Sequence, residues 1–176
     1  MKDSRGKGNR FENDVCRELS RWLVDEPTEG WPTVYDLPFR RRTTTVMPLE
    51  GHWRGAGDIV ARPDVYCPFA IEAKKVEGWS FDGLFNLKWP ILGWWTQCVQ
   101  QAEKVGLIPL LLFSKNRAKI YAVLPPKLVV KLKLSQVGRV LVLERHDGGS
   151  LWVTELHTLI QIDRRKLHRA IQRLQS

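Results

Sequence analysis

The stretch GDIVARPDVYCPFAIEAKK, which runs from Gly57 to Lys75, decides the fold predicted for this chain. It contains two apolar runs, 59–61 and 69–71, and each has the length of a short buried strand. A turn-like segment around Pro63 separates them. We therefore expect two strands that pair or lie side by side in one sheet.

Charged residues stand at the ends of these two runs. Asp58 opens the first run, and the second ends in Glu72-Ala73-Lys74. Residues i and i+2 of a strand point to the same face, so Glu72 and Lys74 share a face. Taken alone, that pair is also typical of a plain surface ion pair. If the two strands are neighbours, however, Asp58 approaches Glu72, and two carboxylates with a lysine can hold a divalent cation and a water.

Composition favours a nucleic-acid partner and an oxygen-ligated metal. The chain has 176 residues and a net charge of +9, which suits one domain, or one domain with a modest appendage, and a polyanionic partner. Nucleic acid is the first such partner and an anionic membrane surface the second. The three cysteines and four histidines are scattered without zinc or disulfide spacing, so any metal should be magnesium or manganese. The chain has no apolar run of about 20 residues and no signal-peptide core, so a soluble cytoplasmic protein is expected.

Periodicity predicts an α/β sandwich around a small mixed sheet. Helices are expected at 5–24, from Pro90 to Gly106, and at 164–175 after a capping Asp163. Strands are expected within 34–45, over the two central runs, at 107–113 and 119–124, and as a hairpin at 137–144 and 151–155. Pro125-Pro126 is the best internal boundary. It divides the chain into a core, residues 1–125, and a C-terminal β-hairpin and basic helix packed on that core, residues 126–176.

The order of these features resembles the PD-(D/E)xK nuclease superfamily, over roughly residues 6–124. The segments that carry the resemblance are KGNRFE (7–12), RRT (41–43), GDIV (57–60), IEAK (71–74) and WTQ (95–97), the last ahead of the LLLFS strand. Within the superfamily, the order is most similar to that of archaeal-type Holliday-junction resolvases and their phage relatives. The resemblance implies a restriction-endonuclease-like core, with helices on a small mixed sheet.

The resemblance also implies a role for each site residue. Lys74 would orient or activate the attacking water and offset charge on the phosphate, and Gln97 would hydrogen-bond near the metal or the scissile phosphate. The implied catalytic residues are Glu12, Asp58, Glu72, Lys74 and Gln97. The implied ligands of a Mg²⁺ or Mn²⁺ ion are Asp58, Glu72, the carbonyl of Ala73 and, directly or through water, Glu12.

Some of these assignments have alternatives. Asp64 supplies the literal Pro-Asp pair of the superfamily name, but it lies in the turn-like segment, whereas Asp58 begins a strand. Asp58 is preferred and Asp64 is the alternative. Gln101 lies one helical turn after Gln97 and competes for its role. Glu12 and Gln97 are also typical of solvated helix faces.

These features together predict a structure-selective, divalent-metal-dependent DNA endonuclease. The first expectation is a Holliday-junction resolvase that acts as a two-fold homodimer. Branched DNA would be held mainly through its phosphates, with no membrane and no small-molecule cofactor involved. The alternatives are a restriction- or repair-type endonuclease of duplex DNA, and a DNA-binding module without catalysis. The predicted phosphate contacts are Lys7, Arg10, Arg40, Arg41, Arg42, Lys75, Arg165 and Arg169, the last two from a stripe that continues to Arg173.

The aromatic segment 76–90 is expected to be a loop near the site. Its residues Trp79, Phe81, Leu84 and Phe85 are one candidate dimer interface. The same residues could equally form a lid on the core.

Overall fold

The computed structural model describes residues 4–24, 31, 33, 35–42, 56–80, 90–144 and 149–175. Its helices are α1 (Ser4–Leu23), α2 (Pro90–Val105), α3 (Pro126–Leu132), α4 (Leu156–Ile160) and α5 (Arg164–Gln175). Its strands are β1 (Phe39–Arg41), β2 (Ile59–Ala61), β3 (Phe69–Lys75), β4 (Ile108–Ser114), β5 (Tyr121–Leu124), β6 (Val140–Glu144) and β7 (Ser150–Glu155). The predicted core order of helix, three strands, helix and two strands is confirmed.

The seven strands of the described ranges form one sheet, in the order β1-β2-β3-β4-β5-β7-β6. β3 and β4 are parallel over their whole length, from Phe69↔Ile108 to Lys75↔Ser114. The other neighbouring pairs are antiparallel. The prediction of an α/β fold with a mixed sheet is therefore confirmed. β3, which carries the IEAK segment, has an antiparallel neighbour on one side and a parallel neighbour on the other.

Helices cover both faces of this sheet. α1, α3, α4 and α5 share the largest hydrophobic cluster with one face, to which β3 contributes Phe69, Ile71 and Ala73. α2 packs on the opposite face, where Ile91 and Cys98 meet β4 and β5. Because strand side chains alternate, Glu72 and Lys74 lie on the α2 face. The run Leu110–Phe113 is completely buried, as expected for a strand covered on both sides.

The ends of two helices follow the local signals in the sequence. Pro90 is the first residue of α2, where a missing N–H costs nothing. Asp163 caps α5, because its Oδ1 accepts hydrogen bonds from the backbone N–H groups of Arg165 (2.9 Å) and Lys166 (3.1 Å).

The chain after Pro125 continues the same sheet and the same core. β7 pairs with β5 through four residues, and β6 forms a hairpin with β7 at the edge. Leu128 and Leu132 of α3 and Ile171 of α5 are fully buried in the largest cluster. The division of the chain at residue 125 stays a prediction. The helices α3 and α4 were not expected.

Two loop predictions are only partly covered by the structure. Among the described residues of 34–45, the strand is limited to β1. Before it, Thr33 and Asp36 form a hydrogen-bonded turn where extended chain was expected. Residues 34 and 43–45 lie outside the described residues. Trp79 is buried against Phe113 and Tyr121, so it covers the core and is no free interface residue. The other three candidate interface residues, Phe81, Leu84 and Phe85, also lie outside the described residues.

The helices described here include none that combines the length and the apolar character needed to cross a membrane.

Candidate active site

Gly57 brings β2 against β3 at the centre of the site. Its backbone has φ +93°, and a Cβ on it would lie 2.1 Å from the carbonyl oxygen of Ile71, so only glycine fits without displacing the chain. Backbone hydrogen bonds flank it: Asp58 N donates to Ile71 O (2.8 Å), and Ile71 N donates to Ala56 O (2.9 Å). The glycine thus fixes Asp58 beside the strand that carries Glu72.

Asp58 is held at the carboxyl end of β3. Its Oδ2 accepts a hydrogen bond from the backbone N–H of Ala73 (3.0 Å) and lies 3.4 Å from Lys74 Nζ. The N–H and C=O of one strand residue point to the same side of the strand, so the Ala73 carbonyl is also directed toward the side on which Asp58 lies. The expected approach of Asp58 to the end of the second run is therefore present.

Glu72 is almost fully buried, with a relative exposure of 1%. Its Oε1 accepts hydrogen bonds from Lys74 Nζ and from Gln97 Nε2, the latter at 3.1 Å. Its Oε2 is also buried and has no hydrogen-bond partner among the described residues. Burial raises the pKa of Glu72; the hydrogen bond from Lys74 opposes this rise and the nearby charge of Asp58 adds to it.

Lys74 bridges the two acids. Burial by itself would lower the pKa of Lys74, but the hydrogen bond to Glu72 and the charge of Asp58 outweigh burial, and the pKa is raised above its ordinary value. Lys74 is therefore a protonated ammonium group at neutral pH. It neutralises part of the charge that Asp58 and Glu72 bring together.

Glu12 approaches from α1 and is paired with Arg41. Arg41 Nε donates to Glu12 Oε2 at 2.5 Å, and the two side chains are 26% and 22% exposed. Burial raises the pKa of Glu12, Arg41 opposes that rise, and the charge of Asp58 adds to it. Glu12 is thus close enough to Asp58 for the two carboxylates to interact electrostatically. Among the described residues, however, no three acidic, histidine or cysteine side chains form one metal-binding cluster.

The cleft beside these acids has a volume of about 360 Å³. α2 contributes Gln97, Gln101 and Lys104 to its wall, and Arg42 also lines it. Gln97 makes the hydrogen bond to Glu72, whereas Gln101 only lines the cleft. Lys104 was not predicted from the sequence. The signal was present, because positions 97, 101 and 104 fall on one face of a helix.

Asp64 lies away from this cleft. It forms an ion pair with Arg62 at 3.0 Å, its side chain is 64% exposed, and it lines a different cavity together with Tyr66 and His168. The structure thus brings Asp58, and not Asp64, to Glu72. The catalytic role of Asp58 stays a prediction.

The cations predicted to contact DNA are distributed over several surfaces. Arg10 and Arg42 are exposed, and Arg42 borders the cleft. Arg40 is half-buried, and burial lowers its pKa. Lys75 points to the α1 face, with its Nζ 5.8 Å from the centre of the Phe11 ring. The Lys7 side chain lies outside the described residues, and Arg41 is the partner of Glu12, as given above.

Arg165 and Arg169 are exposed on α5, on the opposite face of the sheet from the cleft. No described contact links either side chain to the cleft. Their role in DNA binding is untested and stays a prediction.

The carboxylates of Asp58 and Glu72 lie at one cleft, and Oε2 of Glu72 has no partner among the described residues, so their oxygens form a donor set suited to a hard cation. A search among curated proteins and a search among solved structures found no significant match. The family model described as "Phage putative PDDEXK endonuclease" matches residues 3–167. That match includes α1, the whole sheet and the start of α5, and it agrees with the restriction-endonuclease-like arrangement of the sheet and its helices. The chain therefore belongs to the phage family of PD-(D/E)xK endonucleases.

Proposed function

We propose that this nuclease hydrolyses DNA phosphodiester bonds with a divalent cation, Mg²⁺ or Mn²⁺, and that its preferred substrate is a four-way junction. The observation that carries the proposal is Glu72, a buried carboxylate with one unpartnered oxygen that lines the cleft beside Asp58 and Lys74. Glu72 is paired with Lys74 through Oε1, but its buried Oε2 is costly unless a further positive charge compensates for it. PD-(D/E)xK nucleases are generally metal-dependent, which supports a cation as that charge.

The residues present fit such a cation. Asp58 and Glu72 would hold it, with the Ala73 carbonyl directed to the same side and Glu12 as a supporting acid. A bound Mg²⁺ or Mn²⁺ would supply Lewis acidity and lower the pKa of a coordinated water. Carboxylate and carbonyl oxygens are the ligands that these ions prefer.

Lys74 and Gln97 complete the proposed chemistry. Because the raised pKa keeps Lys74 protonated, Lys74 acts as a positive charge that orients the water and stabilises the phosphate in the transition state, and not as a proton acceptor. Gln97 holds Oε1 of Glu72 in place, so that the other oxygen keeps its direction.

Substrate binding in the cleft would rely on phosphate contacts. Arg42 and Lys104 line the cleft, and Arg10 is exposed on α1. Such contacts position the DNA and carry no base information, so the cleft would select DNA by its shape. Affinity should fall steeply with salt.

The preference for junctions is supported by the C-terminal part of the chain, which packs into the core. Endonucleases that read a duplex sequence usually need a dedicated recognition segment. Here, β6 and β7 extend the core sheet, and α3 and α5 bury their apolar faces in the main cluster. Among the described residues, no separate module remains for reading bases. A resolvase cuts two strands symmetrically, so the active form is proposed to be a two-fold homodimer that acts in the cytoplasm.

The test is a cleavage comparison with Mg²⁺ on a four-way junction, a fork, a nicked duplex and a linear duplex of the same sequence. Wild type should cut the junction fastest, and Glu72→Gln should cut none of them. Equal cutting of junction and linear duplex would instead favour a duplex endonuclease. Undiminished cutting by Glu72→Gln would disprove the assigned site. Absence of metal-dependent cutting on all four would favour a DNA-binding module.

A further inference from the structure

The helices α3 and α5 form a strongly basic surface that the cleft does not use. α3 contains two lysines and α5 contains five arginines or lysines, and neither helix contains an aspartate or glutamate. The two helices pack against each other, and their exposed sides are here together called the α3–α5 face. Its exposed cations include Lys127, Lys131, Arg165, Arg169 and Arg173.

The arginines of α5 are presented by a rigid helix. Leu167, Ala170 and Ile171 anchor its inner side in the main cluster, each at 6% exposure or less. Residues 165, 169 and 173 recur every four positions on the exposed side. Among the described residues, no carboxylate forms an ion pair with any of these three arginines. They are therefore free to neutralise the charges of a partner.

The α3–α5 face and the cleft lie on opposite sides of the sheet. The cleft is on the α2 side, whereas α5 belongs to the layer of α1. α5 also lies at the other end of α1: Arg164 and Arg165 share a cavity with Leu23 and Val24. Eleven residues of helix separate Glu12 from Leu23, which corresponds to about 16 Å. Because the two surfaces face opposite sides of the sheet, a straight duplex that lies in the cleft does not contact both.

We propose that the α3–α5 face binds the phosphates of a second DNA segment while the first lies in the cleft. This proposal rests on the proposed function, since it requires a DNA substrate. The three arginines span about 12 Å of helix, close to the rise of three or four base pairs at 3.4 Å each. Duplex DNA offers phosphates along that distance. On a four-way junction, the two segments would be two arms of one substrate.

The experiment counts DNA segments per protomer. Wild type is titrated in low salt and EDTA with labelled duplexes of about 12 base pairs, or about 40 Å, too short to bend around the protein. The test variant is Arg165→Gln/Arg169→Gln. The matched control is Arg17→Gln/Arg139→Gln, which removes the same charge from exposed residues outside α3 and α5. Thermal unfolding of all three proteins checks that the substitutions leave the fold intact.

Wild type and the control should bind two duplexes per protomer, and the test variant should bind one. Each lost phosphate contact reduces the slope of log affinity against log salt concentration by about 0.9. The test variant loses two contacts. When salt rises from 50 to 200 mM, its affinity for the junction should therefore fall by a factor about twelve times smaller than that of wild type. Two duplexes on the test variant, or an unchanged salt slope, would overturn the inference. One duplex on wild type would also overturn it, and would leave the proposed function standing. In this experiment, a failure of wild type to bind any DNA would remove the proposed function as well.

Discussion

Replacing Gly57 with alanine should disable this nuclease by forcing β2 and β3 apart. A Cβ at this position would lie 2.1 Å from the carbonyl oxygen of Ile71 and 2.6 Å from its carbonyl carbon. Ordinary van der Waals contact begins at 3.4 Å, so the Cβ and the oxygen must separate by the difference, 1.3 Å. Both belong to main chain or are fixed to it. Relief must therefore come from moving the segments that carry Asp58 and Glu72.

A displacement of this size has a calculable effect. Misplacing a catalytic group by about 1 Å commonly costs about 100-fold in rate, and we expect that loss in DNA cleavage. Alanine at φ +93° adds strain of about 1 kcal/mol, and overpacking adds about 1–3 kcal/mol. The free energy of unfolding should therefore fall by roughly 2–4 kcal/mol.

Gly78 provides the matched control. Its φ is +83°, close to that of Gly57, but a Cβ there would have no neighbour within 4 Å among the described residues. Gly78→Ala should lose only the strain, about 1 kcal/mol, and should cleave like wild type. Urea unfolding and single-turnover cleavage measure the two quantities. Equal losses of stability and of cleavage rate in Gly57→Ala and Gly78→Ala would refute the steric reasoning.

Further substitutions test the remaining assignments. Gln97→Ala should slow single-turnover cleavage by about tenfold or more, whereas Gln101→Ala should stay near the wild-type rate, because Gln97, and not Gln101, hydrogen-bonds Glu72. Asp58→Asn should abolish metal-dependent cleavage and Asp64→Asn should preserve it; the reverse result would move the first acid to the turn. Burial raises the pKa of Glu72 above its ordinary value of 4.5. Without metal, the contribution of Glu72 to the free energy of unfolding is therefore fully present below pH 4.5 and is lost as pH rises through the raised pKa. Urea unfolding between about pH 4 and pH 8 should thus show a larger loss for wild type than for Glu72→Gln. At neutral pH, Mg²⁺ should raise the melting temperature of wild type and not of Glu72→Gln.

The parts of the fold that local signals specify could be predicted from the sequence. Pro90 opens α2 and Asp163 caps α5, since both effects act within one helical turn. The two apolar runs of the central stretch became β2 and β3 because they have strand length and are bounded by turn residues.

The unexpected features depend on contacts that local patterns do not encode. The pair Pro125-Pro126 indicates a boundary, but a proline is equally suited to the first turn of a helix, and Pro126 is the first residue of α3, a helix that was not expected. The partnership of Glu12 with Arg41 joins residues 29 positions apart, so only the packing of α1 over β1 reveals it. The sequence also left open which glutamine faces the site. One helical turn separates Gln97 from Gln101, and only the packing of α2 on the sheet shows that Gln97 hydrogen-bonds Glu72.

Glu72 shows why the site is better explained by function than by folding. It occupies a strand position whose neighbours along β3 and β4 are apolar and buried, where an aliphatic side chain would satisfy the core without cost. The fold instead positions one lysine and one glutamine to bind a single carboxylate oxygen, and it leaves the other oxygen unpartnered among the described residues. Stability alone would favour pairing both oxygens or neither, because a half-satisfied buried group is the costlier arrangement. An arrangement that holds one oxygen rigid and keeps the other available is what cation binding requires, and this is the physical reason to look for the metal at Glu72 first.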